Sequence, residues 1–367
     1  MNLESQCALD GIVTADDLAI SSEELDQRIA DAKKELGHRL TILGHHYQRD
    51  DVIRFADYRG DSLQLARIAA DLKESEYVVF CGVHFMAETT DILTGDDQIV
   101  ILPDMNAGCS MADMADLEEV EECWDVLTSL YGDTIIPVTY VNSTAAIKAF
   151  VGQHGGLTVT SSNAERILTY AFNQKAKVLF LPDQHLGRNT GVKLGIPLSQ
   201  MCVYDPKRME LEFPHGQEEP RMILWKGHCS VHQKFEPKHV HQVREQYPDI
   251  RVIVHPECMY ETVQLADEAG STDYIIKAIR KAPAGTKWAI GTEHNLVNRL
   301  AQEHPEQFII SLNSMICPCL TMNRIDRPHL LRSLENLVNG KEENVIRVDR
   351  ETAQWAKVAI DRMLSLS

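Results

Sequence analysis

Cys109 and Cys319 lie 210 residues apart, and the same interval separates His45 from His255, Ser62 from Thr272 and His84 from His294. A thiol, two imidazoles and a hydroxyl that share one offset mark two copies of one structural unit. A middle copy fits between them. Tyr140 in VTYVN takes the place of His45, Ser161 in TSSNAERI that of Ser62, and Cys229 in WKGHC that of Cys109. Its spacing is looser, 89 residues from Tyr140 to Cys229 against 64 from His45 to Cys109. The excess falls in the Pro-, Gly- and charge-rich stretch at about 194–221, which reads as an inserted loop or hairpin.

Three equivalent cysteines, one from each of three equivalent units, can converge on a pseudo-threefold axis. A structural zinc site takes four protein ligands, often as two short CxxC pairs, and the sequence shows none. Three widely spaced thiolates suit a four-iron four-sulfur cluster with one iron left open. An open iron is a Lewis acid that can draw off a hydroxyl group. In ICPCLTMN, Cys317 competes with Cys319 for the third place; the offset favours Cys319 and leaves Cys317 as the alternative. Cys81 inside a strand and Cys258 after HPE read as packed side chains, and Cys7, Cys123 and Cys202 match nothing in the other segments.

Ser62, Ser161 and Thr272 each stand at or beside the start of a helix. They read equally as helix caps and as hydroxyls that, with the helix N-terminus, grip an anion. The pairs His45-x-Tyr47, Tyr140-x-Asn142 and His255-x-Glu257 follow equivalent strands and offer donors and acceptors to a common cleft. Glu257 is the one carboxylate among these six positions and the first general acid/base candidate; Tyr47 is the next.

These residues need a scaffold that repeats. The runs LTILGHHYQ, YVVFCGVH, QIVILPDM, IIPVTYVN, KVLFLPDQ, RMILWKGH, RVIVHPEC, KWAIGTEH and FIISLNSM are each followed by turn residues and helical periodicity. Strands alternating with helices predict parallel sheets, with ligands collecting beyond the carboxyl ends of the strands. The expected fold is α/β, with three similar α/β domains in pseudo-threefold arrangement around a central iron–sulfur cluster. The expected boundaries are 1–110, 111–230 and 231–322, with helices from 323 to 367 packing back on the first.

The 367 residues suffice for two or three small domains, and the hydrophobic (44%) and charged (25%) fractions exclude wholesale disorder. A formal charge of −18 argues against nucleic acid and acidic membranes as partners. Neither a spanning apolar run nor a basic leader is visible, and nine cysteines is an odd number, so the expectation is a cytoplasmic protein with reduced thiols.

Taken together, GHHYQ, GDSLQLA, GCSMAD, VTYVN, TSSNA, LPDQHLGRN, GHCSVH, HPEC, GTEHNL and CPCLTMN resemble the quinolinate synthase family, in its longer, Bacillus-like form, from about Leu40 to Leu337. The resemblance implies condensation of iminosuccinate with dihydroxyacetone phosphate, with loss of phosphate and two waters, to give quinolinate for NAD biosynthesis. It implies one 4Fe-4S cluster held by Cys109, Cys229 and Cys319 with one open iron. It further implies substrate binding by His45, Ser62, Tyr140, Asn142, Ser161, His232, His255, Glu257 and Thr272, with Glu257, Tyr47 and His255 catalytic. L-Aspartate oxidase and cluster-assembly proteins are the protein partners it suggests. Two departures from shorter members stand out, the insertion before Arg221 and the Cys317-x-Cys319 doublet. The residues alone also describe an aconitase-like iron–sulfur hydro-lyase, and, from another class, a non-enzymatic iron–sulfur sensor.

Overall fold

A computed structural model describes residues 20–216 and 218–366. These form two compact units: residues up to 108 with Cys319–Arg347, and Cys109–Pro318 with the residues from Val348 on. Cys7 lies outside the described residues.

The first unit opens with α1 (Ser22–Leu36), capped by the Ser21 hydroxyl and ended at Gly37, whose φ of 55° suits a residue without Cβ. There follow β1 (Leu40–His45), α2 (Asp50–Ile53), β2 (Tyr58–Gly60), α3 (Ser62–Asp71), β3 (Tyr77–Cys81), α4 (His84–Leu93) and β4 (Ile99–Ile101). The strands pair in parallel in the order β2-β1-β3-β4. β1 and β3 are buried throughout, as strands of a sheet covered on both faces must be.

The second unit holds two sheets. One is built from α5 (Leu117–Tyr131), β5 (Ile135–Tyr140), α6 (Ala145–Gln153), β6 (Leu157–Val159), α7 (Ala164–Gln174), β7 (Lys177–Leu181), α8 (Gln184–Lys193), β8 (Met201–Asp205), β9 (Glu210–Glu212) and β10 (Met222–Trp225), ordered β6-β5-β7-β10-β8-β9. The other comprises α9 (Pro237–Gln246), β11 (Arg251–Val254), α10 (Tyr260–Leu265), β12 (Glu268–Ala269), α11 (Thr272–Lys281), β13 (Lys287–Gly291), α12 (His294–Glu303) and β14 (Phe308–Ser311), ordered β12-β11-β13-β14.

The nine apolar runs are nine strands of these three parallel-dominated sheets. With the inserted β8 and β9 set aside, in each sheet the first strand pairs with the second and third, and the third with the fourth. The short edge strands β2, β6 and β12, of two or three residues, give no alternation for the sequence to reveal. The stretch at about 194–221 adds β8, parallel to β10, and β9, antiparallel to β8, as a hairpin on one sheet edge.

The C-terminal elements are α13 (Arg327–Val338), β15 (Val345–Ile346) and α14 (Arg350–Leu366). β15 closes the first sheet antiparallel to β4. The helices do not all return to the first segment. α13 packs on α1, where Arg28 donates to both oxygens of Glu335 at 2.9 and 2.8 Å, whereas α14 packs on α6 and β6 in the second unit. Gly152 makes that second contact possible, since a Cβ there would stand 2.0 Å from the Trp355 carbonyl oxygen.

Candidate active site

The three cysteines of the repeat occupy one local structure. Each follows the last of the chain's repeat strands in its sheet, β4, β10 and β14, and its carbonyl accepts the N–H four residues on: Asp113 to Cys109 at 3.1 Å, Gln233 to Cys229 at 3.0 Å, Asn323 to Cys319 at 3.0 Å. Short 3-10 helices then begin at the same distance, Ala112–Met114, His232–Lys234 and Met322–Arg324, and lead into α5, α9 and α13.

In the second unit, the Trp225 indole donates to the Met114 carbonyl at 2.6 Å, tying the helix after Cys109 to the segment before Cys229. In the first unit, Arg324 reaches buried Asp104 at 2.7 Å and Gln48 reaches the Met322 carbonyl at 3.3 Å. These contacts set the helix after Cys319 beside the turn that carries His45 and Tyr47.

All three thiols are half-buried and none is in a disulfide. His232 Nδ1 stands 3.2 Å from the Cys229 sulfur and the Thr321 hydroxyl 3.4 Å from that of Cys319. Such neighbours tune a sulfur ligand. Cys81, Cys123, Cys202 and Cys258 are fully buried, and burial pushes Cys81 and Cys202 up to about 12, which leaves them as protonated, inert thiols. Cys317 is exposed. Half-buried thiols outside any disulfide are of the kind that can ligate a soft metal, and Cys109, Cys229 and Cys319 each present one.

Glu257 is the centre of a buried network in the second unit. The Tyr140 hydroxyl donates to its Oε1 at 2.6 Å, and His232 Nδ1 faces its Oε2 at 2.8 Å. His232 Nε2 contacts the Thr292 hydroxyl at 3.2 Å, and the His232 and His255 rings stack with centroids 4.6 Å apart. Cys229, His232 and Glu257 present ligand atoms within 4.8 Å of one another, a second arrangement able to take a metal ion.

Burial by itself would raise the Glu257 carboxyl. The adjoining His232 imidazole and the hydroxyl of Tyr140 outweigh it and hold the group well below the usual carboxylate range. Burial pushes His255 down to about 3, so its ring is neutral near pH 7. His255 Nδ1 accepts the Glu257 N–H at 3.3 Å, which leaves the ring proton on Nε2, 3.2 Å from the Ser161 hydroxyl. Thus Tyr140, Ser161, His232, His255 and Glu257 are brought together. Asn142 follows the end of β5 with a buried Oδ1 that has no hydrogen-bond partner.

His45 and Tyr47 belong to the first unit and repeat the His255 geometry. His45 is buried, and its Nδ1 accepts the Tyr47 N–H at 3.1 Å. The hydroxyl set divides from the caps. α3 is capped by Asp61 in a capping box with Gln64, and α11 by Ser271, so Ser62 and Thr272 are first helical residues. Asn163, not Ser161, holds the cap position of α7. The capping alternative therefore falls for Ser62 and Thr272, whose preceding residues do the capping, and Ser161 lies outside the cap position of a helix that has no side-chain cap. His84 and His294 open α4 and α12. His84 faces Glu88 at 3.7 Å and His294 contacts Asn298 at 2.9 Å, and neither joins the Glu257 network.

A model of the family described as quinolinate synthetase A protein matches residues 27–365. The chain is 62% identical over 346 residues to the quinolinate synthase of Anoxybacillus flavithermus, with 94% of each chain covered. It is 60% identical over 345 residues to those of Bacillus anthracis and Bacillus cereus, again over 94% of each chain. The chain belongs to the quinolinate synthetase A family.

Residues of this family member that spacing did not single out lie on α8 and β13. Thr292 follows β13 and touches His232. Asn189 Nδ2 donates to the Pro256 and Cys258 carbonyls at 2.8 and 2.9 Å, clasping the backbone on both sides of Glu257. Asp183 caps α8 with Oδ1 on the His185 N–H at 2.8 Å, while its Oδ2 has no partner. Burial, and then the Glu257 charge, push its carboxyl well above the usual range. The one available signal was the string LPDQHLGRN, which carries a resemblance but no offset partner.

No helix of the described residues is long and apolar enough to cross a membrane.

Proposed function

We propose that the chain condenses iminosuccinate with dihydroxyacetone phosphate to quinolinate, releasing phosphate and two waters, in the biosynthesis of NAD. The relatives' name supplies the product, and the resemblance of the motifs supplies the substrates. The observation that carries the reading is the Glu257 network. An ionised, fully buried carboxylate is held between a phenol and an imidazole, within reach of a thiol fitted to bind metal.

When bound, a 4Fe-4S cluster on Cys109, Cys229 and Cys319, with one open iron, supplies Lewis acidity toward a departing hydroxyl. Cys317 stays the alternative third ligand. The equivalent carbonyl hydrogen bonds and 3-10 helices after the three chosen cysteines support the choice.

Glu257 serves as the base that takes a proton from carbon during condensation and tautomerisation. His232 Nδ1 orients the carboxylate through Oε2, and Tyr140 keeps it in place through Oε1. Tyr47 is the second acid/base candidate, beside His45. His255, neutral with its proton on Nε2, serves as a donor to substrate oxygen together with Ser161. Ser62, Thr272 and Asn142 bind the carboxylates of the diacid; their support is the relief of Ser62 and Thr272 from capping and the unpartnered Asn142 oxygen.

The three repeats are proposed as 1–110, 111–230 with its hairpin insertion, and 231–322, each delivering one cysteine. Their common strand order supports this. The protein is proposed to work in the cytoplasm, supplied with iminosuccinate by an L-aspartate oxidase and with its cluster by assembly proteins.

Anaerobic reconstitution followed by an assay for quinolinate tests the reading. Quinolinate that forms only when both iminosuccinate and the triose phosphate are present is expected. Turnover of a hydroxy acid alone, with no dependence on the triose phosphate, would replace it with a simple hydro-lyase.

A further inference from the structure

The first turns of α8 carry more donors than the protein itself satisfies. Arg188 is only 7% exposed, yet its guanidinium meets two neutral groups, His185 Nδ1 at 3.4 Å and the Gln184 side-chain oxygen at 3.0 Å. No carboxylate lies within ion-pairing distance of it among the described residues. A guanidinium has five N–H donors and buried charges are normally paired; Glu261 and Asp183 act on this one only from beyond ion-pairing distance, so donors remain for an anion.

His185, 8% exposed, points the same way. Because arginine can only donate, His185 Nδ1 accepts; burial holds the ring neutral, so its proton sits on Nε2. That Nε2 is buried and has no hydrogen-bond partner. The helix adds the positive end of its dipole, although its first N–H groups are taken by the Gly227 carbonyl and by Asp183 Oδ1.

We propose that Arg188 and His185 form a buried oxyanion site on α8 that takes a phosphate monoester, or the inorganic phosphate released from one. A carboxylate, with two oxygens in one plane, is filled by the edge of a guanidinium alone. A phosphate has three free oxygens off that plane and takes the imidazole N–H as well. Asn189, the next residue, is bonded to the carbonyls on either side of Glu257, so a phosphate held here lies on the helix that clasps the Glu257 loop. The inference rests on the reading that one substrate is a triose phosphate, and it gives the phosphoryl group a site apart from the hydroxyls assigned to the diacid.

Calorimetric titration of the anaerobic holoenzyme with inorganic phosphate, and separately with glycerol 3-phosphate, tests it without turnover. Arg188→Gln should weaken both probes by at least about tenfold, the range of a charge-assisted hydrogen bond. It should raise KM for the triose phosphate while KM for the diacid stays put. Loss of both probes identifies the substrate's monoester as the occupant, and loss of inorganic phosphate alone identifies a release site. Should Arg188→Gln not fold, His185→Phe keeps the ring volume and removes the N–H, and weaker phosphate binding is expected of it too. Unchanged affinity in a folded variant with intact iron, or no binding of either probe to the wild-type holoenzyme, overturns the proposal. A chain that bound phosphate but made no quinolinate would remove the assigned reaction and keep the site.

Discussion

Glu257→Gln separates chemistry from architecture. The carboxylate accepts from Tyr140 at 2.6 Å on one oxygen and faces His232 Nδ1 at 2.8 Å with the other. The amide keeps the length, and its oxygen can still accept from Tyr140. Its NH2 then faces Nδ1, which accepts once the His232 proton moves to Nε2, beside the Thr292 hydroxyl at 3.2 Å. No partner is left unpaired, so the loss of stability should be about 1 kcal/mol. Glu257→Ala, by contrast, strands both partners and should cost about 3–5 kcal/mol. An amide cannot cycle a proton. Losing a positioned acid/base lowers turnover by about 10²- to 10⁴-fold, which at about 1.4 kcal/mol per tenfold adds about 3–5 kcal/mol to the barrier. The assay is single-turnover quinolinate formation by anaerobically reconstituted protein, with iron and sulfide counted on the same sample. Near-normal turnover with intact iron would refute the assignment and leave Tyr47 as the acid/base.

Cys109→Ala, Cys229→Ala and Cys319→Ala should each lose iron on reconstitution while Cys317→Ala keeps it; a full, active cluster in Cys319→Ala would transfer the third ligand to Cys317. Thr272→Val should raise KM for the diacid and leave the melting temperature within a degree or two, because Ser271 caps α11; the opposite pattern would make Thr272 structural. His185 and His255 have folded pKa values lowered from 6.5 to about 3, so between those pH values the unfolded chain binds protons that the folded chain does not. Stability should therefore fall as pH drops below 6.5, by about 1.4 kcal/mol per pH unit for each histidine. Denaturant unfolding at pH 7, 6 and 5 should show a shallower slope, by about one proton, in His185→Gln, and an unchanged slope would contradict the burial argument.

The repeat was legible because the first and third segments differ by no insertion. β3 at Tyr77–Cys81 and β13 at Lys287–Gly291 keep the 210-residue interval, as do the 3-10 helices at Ala112–Met114 and Met322–Arg324. Side-chain partnership was not legible. Tyr140 and Glu257 are 117 residues apart and His232 and Thr292 are 60 apart, so what joins them is packing within the second unit rather than any period. The sequence left capping and anion binding equally open for a related reason. A serine at a helix start reads as a cap from sequence, but at Ser62 and Thr272 the residue before supplies the extended φ and ψ that a cap requires. The docking of α14 on α6 depended on the close approach at Gly152, which a helical pattern does not reveal.

The turn after the first strand shows how one backbone geometry was put to several uses. At both His45 and His255, Nδ1 accepts the N–H two residues on, at 3.1 and 3.3 Å. A nitrogen that accepts carries no proton, so each ring presents Nε2–H beyond the strand end. The repeat thus supplies an aimed donor twice over. The position two residues later is left to vary: a phenol at Tyr47, an amide at Asn142, a carboxylate at Glu257. Glu257 sits against a second imidazole and a second phenol, His232 and Tyr140, and that setting holds a fully buried acid ionised. The acid/base role proposed for Glu257 therefore rests on divergence at one repeated position and on partners recruited elsewhere in the second unit, while the offset that revealed the position reports the shared turn.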